Sequence, residues 1–505
     1  MTGRGLCPRA AGPDTAYTLD VVIADRPASE LTTIAASAPG SVIVQSSAQV
    51  LRGWTGARMV ADGEASLHWL EQRLHEKLGG HLIRCVDLTI ERSRGGKTHT
   101  HVTEPVRDAD DVAFVYGRGA SRVAQQIATN PAAGAQLTGK PNRLAVVTDG
   151  SAVLGLGNLD PIAALTVIEG KAALLAQLAT IDAVPICLDT HNVDDIVSTV
   201  LAIAPSFGAI NLEGISAPRC FTVEAHLRDK LQIPVLNDEP HGTAIIVLAA
   251  LHNALKVVEK RLETARIVVL GAGAAGTAVT SLLLAAGARD VIVWSSTGIL
   301  HPQFVAALPS NKIFMALAGR PRVDETSQYA GSPTGVVGVP AHWLVTSQRR
   351  LAAVTNPREV RGGRLEALNQ ADAVIGVSTA GLLTRKLVRA MAPHPIVFTL
   401  ANPVPEIDPT EIADIAEVIA TRRSQDPNQV SSVLVFPGLF RTVLDEQKVQ
   451  LDTTTLLACA HALTGLLTAP SAEKLLPGVL DKRVMPTVAA AIATTIPATD
   501  PRWSK

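Results

Sequence analysis

The chain has 505 residues, of which 47% are hydrophobic, 18% charged and only 3% aromatic, with a formal net charge of -1. That length exceeds one ordinary core and predicts about three domains; the near-zero charge leaves no basic footprint for nucleic acid or an anionic membrane. With so few aromatics, Ala, Val and Leu must fill the cores, which is the packing of helix-coated parallel sheets.

Residues 1–15 contain Arg4 and Arg9 but lack the apolar run of a secretory signal, and read as a disordered tail. Over 16–94, apolar runs and amphipathic stretches alternate at 17–23, 28–36, 41–45, 65–78 and 81–90. This is the pattern of a small α+β module in β-α-β-β-α-β, ferredoxin-like order. Its topology resembles the ACT ligand-binding domain, which implies a small effector; a packing or dimerisation module fits the same pattern. Residues 95–240 carry helices and short strands, with turn chemistry at Asn130-Pro131, Lys140-Pro141-Asn142 and Gly155-Leu156-Gly157-Asn158.

Residues 241–480 open with a helix pattern to Lys260, then the strand Ile267-Val268-Val269-Leu270, a glycine run, a helix and Val291-Ile292-Val293. That succession predicts an α/β, doubly wound Rossmann-type domain. The uncharged stretch 267–288 is long enough to imitate a membrane span, but its glycines cluster at one turn, so it reads as strand, turn and helix. The segment 298–350, with Pro302, Pro309, Pro321, Pro333 and Pro340, reads as an insertion with long loops. The sheet resumes at 373–377 and 396–400, helices follow from Thr453, and 481–505 form a C-terminal helix and tail. Cys7, Cys85, Cys187, Cys220 and Cys459 are scattered without CxxC pairing and read as reduced thiols of a cytoplasmic protein.

The run Gly271-Ala272-Gly273-Ala274-Ala275-Gly276 follows a strand and opens a helix, the context in which glycines admit a pyrophosphate to the backbone and the helix N-terminus stabilises its charge. At the end of the next strand stands Ser295, where an Asp or Glu normally accepts the ribose hydroxyls, and no Arg or Lys follows closely to meet a 2′-phosphate. NAD and NADP both stay open. The adjacent acids Asp238 and Glu239 lie in an otherwise apolar stretch and are costly to bury without a metal or cation. Lys171 stands in an apolar helical neighbourhood where burial would lower its pKa towards that of a base. Tyr116 reads equally as a core aromatic, Glu213 as a surface acid, and His99 and His101 as an exposed pair on a strand. The spacing Gly134 to Lys140 imitates a phosphate-binding loop, but Pro141 replaces the required Ser or Thr.

Six blocks in order then carry a resemblance. They are Val147-Thr148-Asp149-Gly150-Ser151-Ala152-Val153-Leu154-Gly155-Leu156-Gly157-Asn158, Glu169-Gly170-Lys171-Ala172, Phe207-Gly208-Ala209-Ile210-Asn211-Leu212-Glu213, His241-Gly242-Thr243-Ala244, Ala401-Asn402-Pro403-Val404-Pro405-Glu406, and Asp426-Pro427-Asn428-Gln429-Val430. From Gly95 to Leu466 the chain resembles bacterial malic enzymes. The resemblance implies a malic-enzyme-type catalytic domain before the Rossmann domain, and oxidative decarboxylation of malate or a related 2-hydroxy acid with NAD or NADP. It also implies a divalent metal, Mg2+ or Mn2+, on Glu213, Glu239 and Asp238. Lys171 is the implied base, Tyr116 the acid that protonates the enol, Asp238 the lysine's partner, and Asn402 a cofactor contact. A homodimer or higher homo-oligomer is expected on the same ground.

The departures from the family pattern fall in the site. Gly214 replaces a ligand Asp, Glu239 replaces a shorter Asp, Ser431-Ser432 replace an Asn pair, and Tyr116 is followed by Gly117-Arg118-Gly119-Ala120 where the family has Thr-Pro-Gly-Val. Losing one carboxylate weakens a hard-cation site. Two further outcomes therefore stand beside malate oxidation: a related enzyme that dehydrogenates without decarboxylating or acts as a malolactic decarboxylase, and a non-catalytic sensor of nucleotide or effector.

Overall fold

The computed structural model describes residues 15–51, 53–153, 156–217, 219–301, 349–424, 426–446 and 452–495. The expected N-terminal tail and nearly all of the expected insertion at 298–350 lie outside these.

Four antiparallel strands, β1 (Thr18–Ala24), β2 (Val42–Leu51), β3 (Trp54–Ala61) and β4 (Leu82–Asp87), form a first sheet in the order β2-β3-β1-β4. The helices Ser29–Ala36 and Glu64–Leu78 pack with it. Leu19, Val21 and Ile23 alternate along β1 and point into one core with Leu31, Met59, Leu70 and Leu74, the two-residue period of a half-buried strand. The β-α-β-β-α-β order is the one the hydrophobic pattern predicts.

A second sheet, all parallel, runs β6-β5-β7-β8, with β5 at Arg143–Thr148, β6 at Asp182–Cys187, β7 at Ala209–Leu212 and β8 at Val235–Leu236. Its crossover helix Pro161–Ala179 starts where Asp160 accepts a hydrogen bond from the Ile162 amide and Pro161 occupies the first turn. It ends at Thr180, in the left-handed region with φ 54. By length and apolarity alone this helix could cross a membrane, yet Ile168, Leu175 and Ala179 are built into the core.

The third sheet has the order β11-β10-β9-β12-β13-β14. The strands β9 (Arg266–Leu270), β10 (Asp290–Ser295), β12 (Ala373–Gly376), β13 (Ile396–Thr399) and β14 (Val418–Thr421) are parallel, and only β11 (Gly298–Ile299) is antiparallel. Strand order reverses between β9 and β12, the switch point outside which α/β sheets bind ligands.

The helix Asp238–Val257 joins the second and third sheets. Ile245, Val247, Leu248 and Leu251 share one core with Leu144 and Ile168 on one side and Ile267, Leu283 and Phe398 on the other. It begins three residues before the expected domain boundary, so its first turn, bearing Asp238 and Glu239, caps the junction. Because Phe398 on β13 is fully buried, Phe398→Ala should lower stability by roughly 3–5 kcal/mol. Denaturant unfolding followed by circular dichroism would measure this.

Candidate active site

Lys171 lies midway along the helix Pro161–Ala179 with 9% of its surface exposed. Its Nζ donates to Asn211 Oδ1 at 3.0 Å, to both oxygens of Asp238 at 2.7 and 2.8 Å, and to Glu213 Oε2. Asn211 lies in β7, Glu213 directly follows that strand, and Asp238 opens the central helix, so two separate elements converge on the ammonium of a third. The rings of Phe436 and Phe440 lie 5.1 and 5.6 Å from Nζ and close its apolar side.

The expectation that burial lowers the Lys171 pKa is overturned. Burial does act downward, but the charges and hydrogen bonds of Asp238 and Glu213 outweigh it and raise the ammonium above the ordinary lysine range. Glu213 is pushed the other way for a carboxyl. Burial raises its pKa to about 7, Asp238 and Glu239 reinforce the rise, and Lys171 opposes it.

The expected metal set does not form a ligand group. Asp238 turns both oxygens to Lys171, and Glu213 gives Lys171 one of its own. Gly214, at φ 58, offers only a carbonyl, which accepts from the Ala152 amide at 2.8 Å. Glu213, Gly214 and Glu239 line a cavity of about 20 Å³ with the apolar Val153, Ala164 and Ile168. Among the described residues no three His, Cys, Asp or Glu side chains are grouped to hold a metal ion, and the carboxylates that would anchor Mg2+ or Mn2+ alongside water are engaged with Lys171 instead. The residues present do not fit a resident divalent cation.

The dinucleotide turn does fit its expected ligand. Gly271 has φ 126, and a Cβ at Gly276 would stand 1.9 Å from the Gly271 carbonyl oxygen, so the tight turn requires glycine there. No side chain caps the helix Ala274–Ala285 at Gly273, and its first amides are free to receive a pyrophosphate. Ala272, Ala274 and Ala275 complete the turn. Ser295 departs from expectation. It is only 2% exposed, and its hydroxyl is spent on Thr297 and the Gly298 carbonyl, closing the β10–β11 hairpin. Asn402 follows β13, where Glu406 braces the neighbouring loops by accepting from the Ser378 and Ala401 amides and from Thr399.

Tyr116 is not brought to Lys171. It stands at the end of the helix Ala109–Val115 with 76% exposure, beside Phe114 at 75%, and the helix Arg118–Thr129 that follows has no buried residue. His99 and His101 are exposed but lie on no strand, and the region of the phosphate-loop imitation folds into short helical turns, Gly134–Leu137 and Lys140–Asn142.

Sequence reading missed three cations. Arg364 lies over the Trp294 ring at 5.4 Å, and Arg361 lines a cavity of about 350 Å³ with Thr297, Gly298 and His301 beyond β10. Arg422, just after β14, donates to Thr243 Oγ1 at 3.0 Å, joining the C-terminal edge of the third sheet to the first turns of the central helix. The paired arginines at the end of an apolar strand were the available signal for Arg422. No local signal marked the other two, which are distant in sequence from Ser295.

A glycine-cradled dinucleotide turn on a parallel α/β sheet, joined through the central helix to a buried lysine cluster, is the arrangement of a nicotinamide-dependent oxidoreductase. Family models for the malic enzyme N-terminal domain and the malic enzyme NAD-binding domain match residues 95–228 and 241–294. The chain is 41% identical over 416 residues to a NAD-dependent malic enzyme of Geobacillus stearothermophilus, covering 82% of this chain and 79% of that one. It is 39% identical over 414 residues to a bifunctional malic/malolactic enzyme of Bacillus subtilis, covering 81% and 92%. The crystal structure of a NAD-dependent malic enzyme from Thermotoga maritima superposes with a TM-score of 0.69 at 35% identity, covering 81% of this chain and 98% of that one. The chain belongs to the malic enzyme family.

A carboxyl with a folded pKa near 7 against an ordinary 4.5 binds its proton more tightly in the folded protein. Stability is therefore lost as pH rises through that window. Relative to the parent, Glu213→Gln should gain melting temperature between about pH 5 and pH 8, as differential scanning fluorimetry across that range would show.

Proposed function

We propose that the protein oxidises malate, or a closely related 2-hydroxy acid with a β-carboxylate, and releases CO2, using NAD or NADP. The observation that carries this reading is the buried Lys171 cluster, held by Asp238, Glu213 and Asn211 beside a dinucleotide cradle. When bound, the nicotinamide supplies the acceptor for the hydride from C2.

Lys171 is the group placed to exchange the proton of the C2 hydroxyl. Asp238 fixes its direction by accepting at both oxygens, and Asn211 and Glu213 take the other N–H groups. Phe436 and Phe440 exclude water from the lysine, which strengthens every charge interaction around it. The assignment of Tyr116 as enol-protonating acid rests on the family resemblance. Malolactic or simple dehydrogenase outcomes are separated from this reading by their products.

For the cofactor, the absence of a carboxylate at Ser295 and the presence of Arg361 and Arg364 near the end of β10 support acceptance of a 2′-phosphate. The β-α-β-β-α-β module is read as an ACT-like effector or dimerisation unit, supported by its topology and by the exposed Ile43 and Ile83 on its sheet. The exposed Val112, Phe114, Val115 and Tyr116 support a homo-oligomer. Cys85, Cys187, Cys220 and Cys459 form no disulfide among the described residues, which supports a reducing, cytoplasmic setting.

With purified protein, malate should yield NAD(P)H and CO2 together, and Lys171→Arg, which keeps a cation against Asp238 and Glu213, should lower kcat by about 10²–10⁴-fold. CO2 without net NAD(P)H, or NAD(P)H without CO2, would replace the reading by the malolactic or the simple dehydrogenase one.

A further inference from the structure

A dicarboxylate entering this cleft meets Glu213, Asp238 and Glu239, and needs a cation with donors to spare. Lys171 does not qualify, because its three N–H groups are already turned to Asn211, Glu213 and Asp238. Nearby guanidiniums are committed too: Arg219 pairs with Asp149 at 3.1 Å, and Arg228 with Glu224 at 2.9 Å. Arg422 differs. Its side chain makes a single hydrogen bond among the described residues, to Thr243, out of the five N–H donors of a guanidinium.

The groups around Arg422 leave most of its donors unused among the described residues. Thr243 lies one turn along the central helix from Glu239 and donates to the Glu239 carbonyl at 2.8 Å, which leaves its oxygen to accept from Arg422. Ser432 packs on the same turn, its Cβ 3.4 Å from where a Cβ of Gly242 would stand. The charges of Glu239 and Glu406 both act on Arg422, but no ion pair closes with either among the described residues. The guanidinium thus keeps an open fork at the edge where the third sheet meets the Lys171 site.

We propose that Arg422, with Ser432 beside it, binds a carboxylate of the 2-hydroxy acid, and that this docking does not require a divalent metal. The planar fork of arginine matches a carboxylate with two parallel hydrogen bonds. This assignment explains together why a ligand carboxylate is missing at Gly214 and why hydroxyls replace amides at Ser431 and Ser432: a fixed protein cation takes over substrate charge that a metal and amides would otherwise meet. It rests on the malate reading for its substrate class.

The test is calorimetric titration of L-malate into the full-length protein saturated with reduced cofactor, in EDTA and in Mn2+. The parent should bind with dissociation constants that agree within about threefold in the two buffers, and Arg422→Gln should bind about tenfold or more weakly in both. Arg422→Lys keeps the charge but loses the fork, and should fall between them while its melting temperature stays near the parent's. Reduced-cofactor fluorescence should report unchanged dinucleotide binding in both variants. Malate binding that appears only with Mn2+, or that is unchanged in Arg422→Gln, overturns the assignment and leaves the malate reading standing. Absence of malate binding to the parent in either buffer overturns the malate reading itself.

Discussion

An ammonium nine-tenths removed from water cannot stand alone, and the site is built around meeting that demand at Lys171. Its three donors reach Asn211 and Glu213 on the second sheet and Asp238 at the start of the central helix. Two carboxylates outweigh the cost of burial, so the lysine stays charged. The same contacts clamp β7, the crossover helix and the central helix into one register, which makes the chemistry of the site and the docking of its walls a single arrangement.

That arrangement is delivered to the cofactor side by the central helix. Its apolar length is shared between the cores of both parallel sheets, and its acidic first turn gains from the helix dipole while facing the cleft. Across from it, the C-terminal ends of β9, β12, β13 and β14 supply Gly271, the loops braced by Glu406, and Arg422. The Arg422 to Thr243 hydrogen bond is one of the places where these two sides touch. Substrate and nicotinamide would therefore meet between rigid elements, as hydride transfer requires.

Asp238 and Glu213 are turned towards Lys171, and the Arg422 guanidinium makes one side-chain hydrogen bond among the described residues, to Thr243. Gly214 itself is accommodated by its backbone, whose left-handed conformation lets its carbonyl tie down the Ala152 amide.

The order of domains, the β-α-β-β-α-β module, the dinucleotide turn and the identities of Lys171, Asp238 and Glu213 were legible in the chain alone. Hydrophobic period, glycine spacing and short motif blocks are local properties, and local properties survive in a linear reading. The charge state of Lys171, the inward turn of Ser295, the exposure of Tyr116 and the roles of Arg361, Arg364 and Arg422 were not. Each depends on which groups, tens or hundreds of residues apart, end within a few ångströms of one another: Lys171 is 67 residues from Asp238, and Arg422 is 179 from Thr243. Sequence by itself thus determined the kind of site and most of its parts, while tertiary packing decided which charges pair and which remain open, because a pKa or a free donor is set by neighbours and burial.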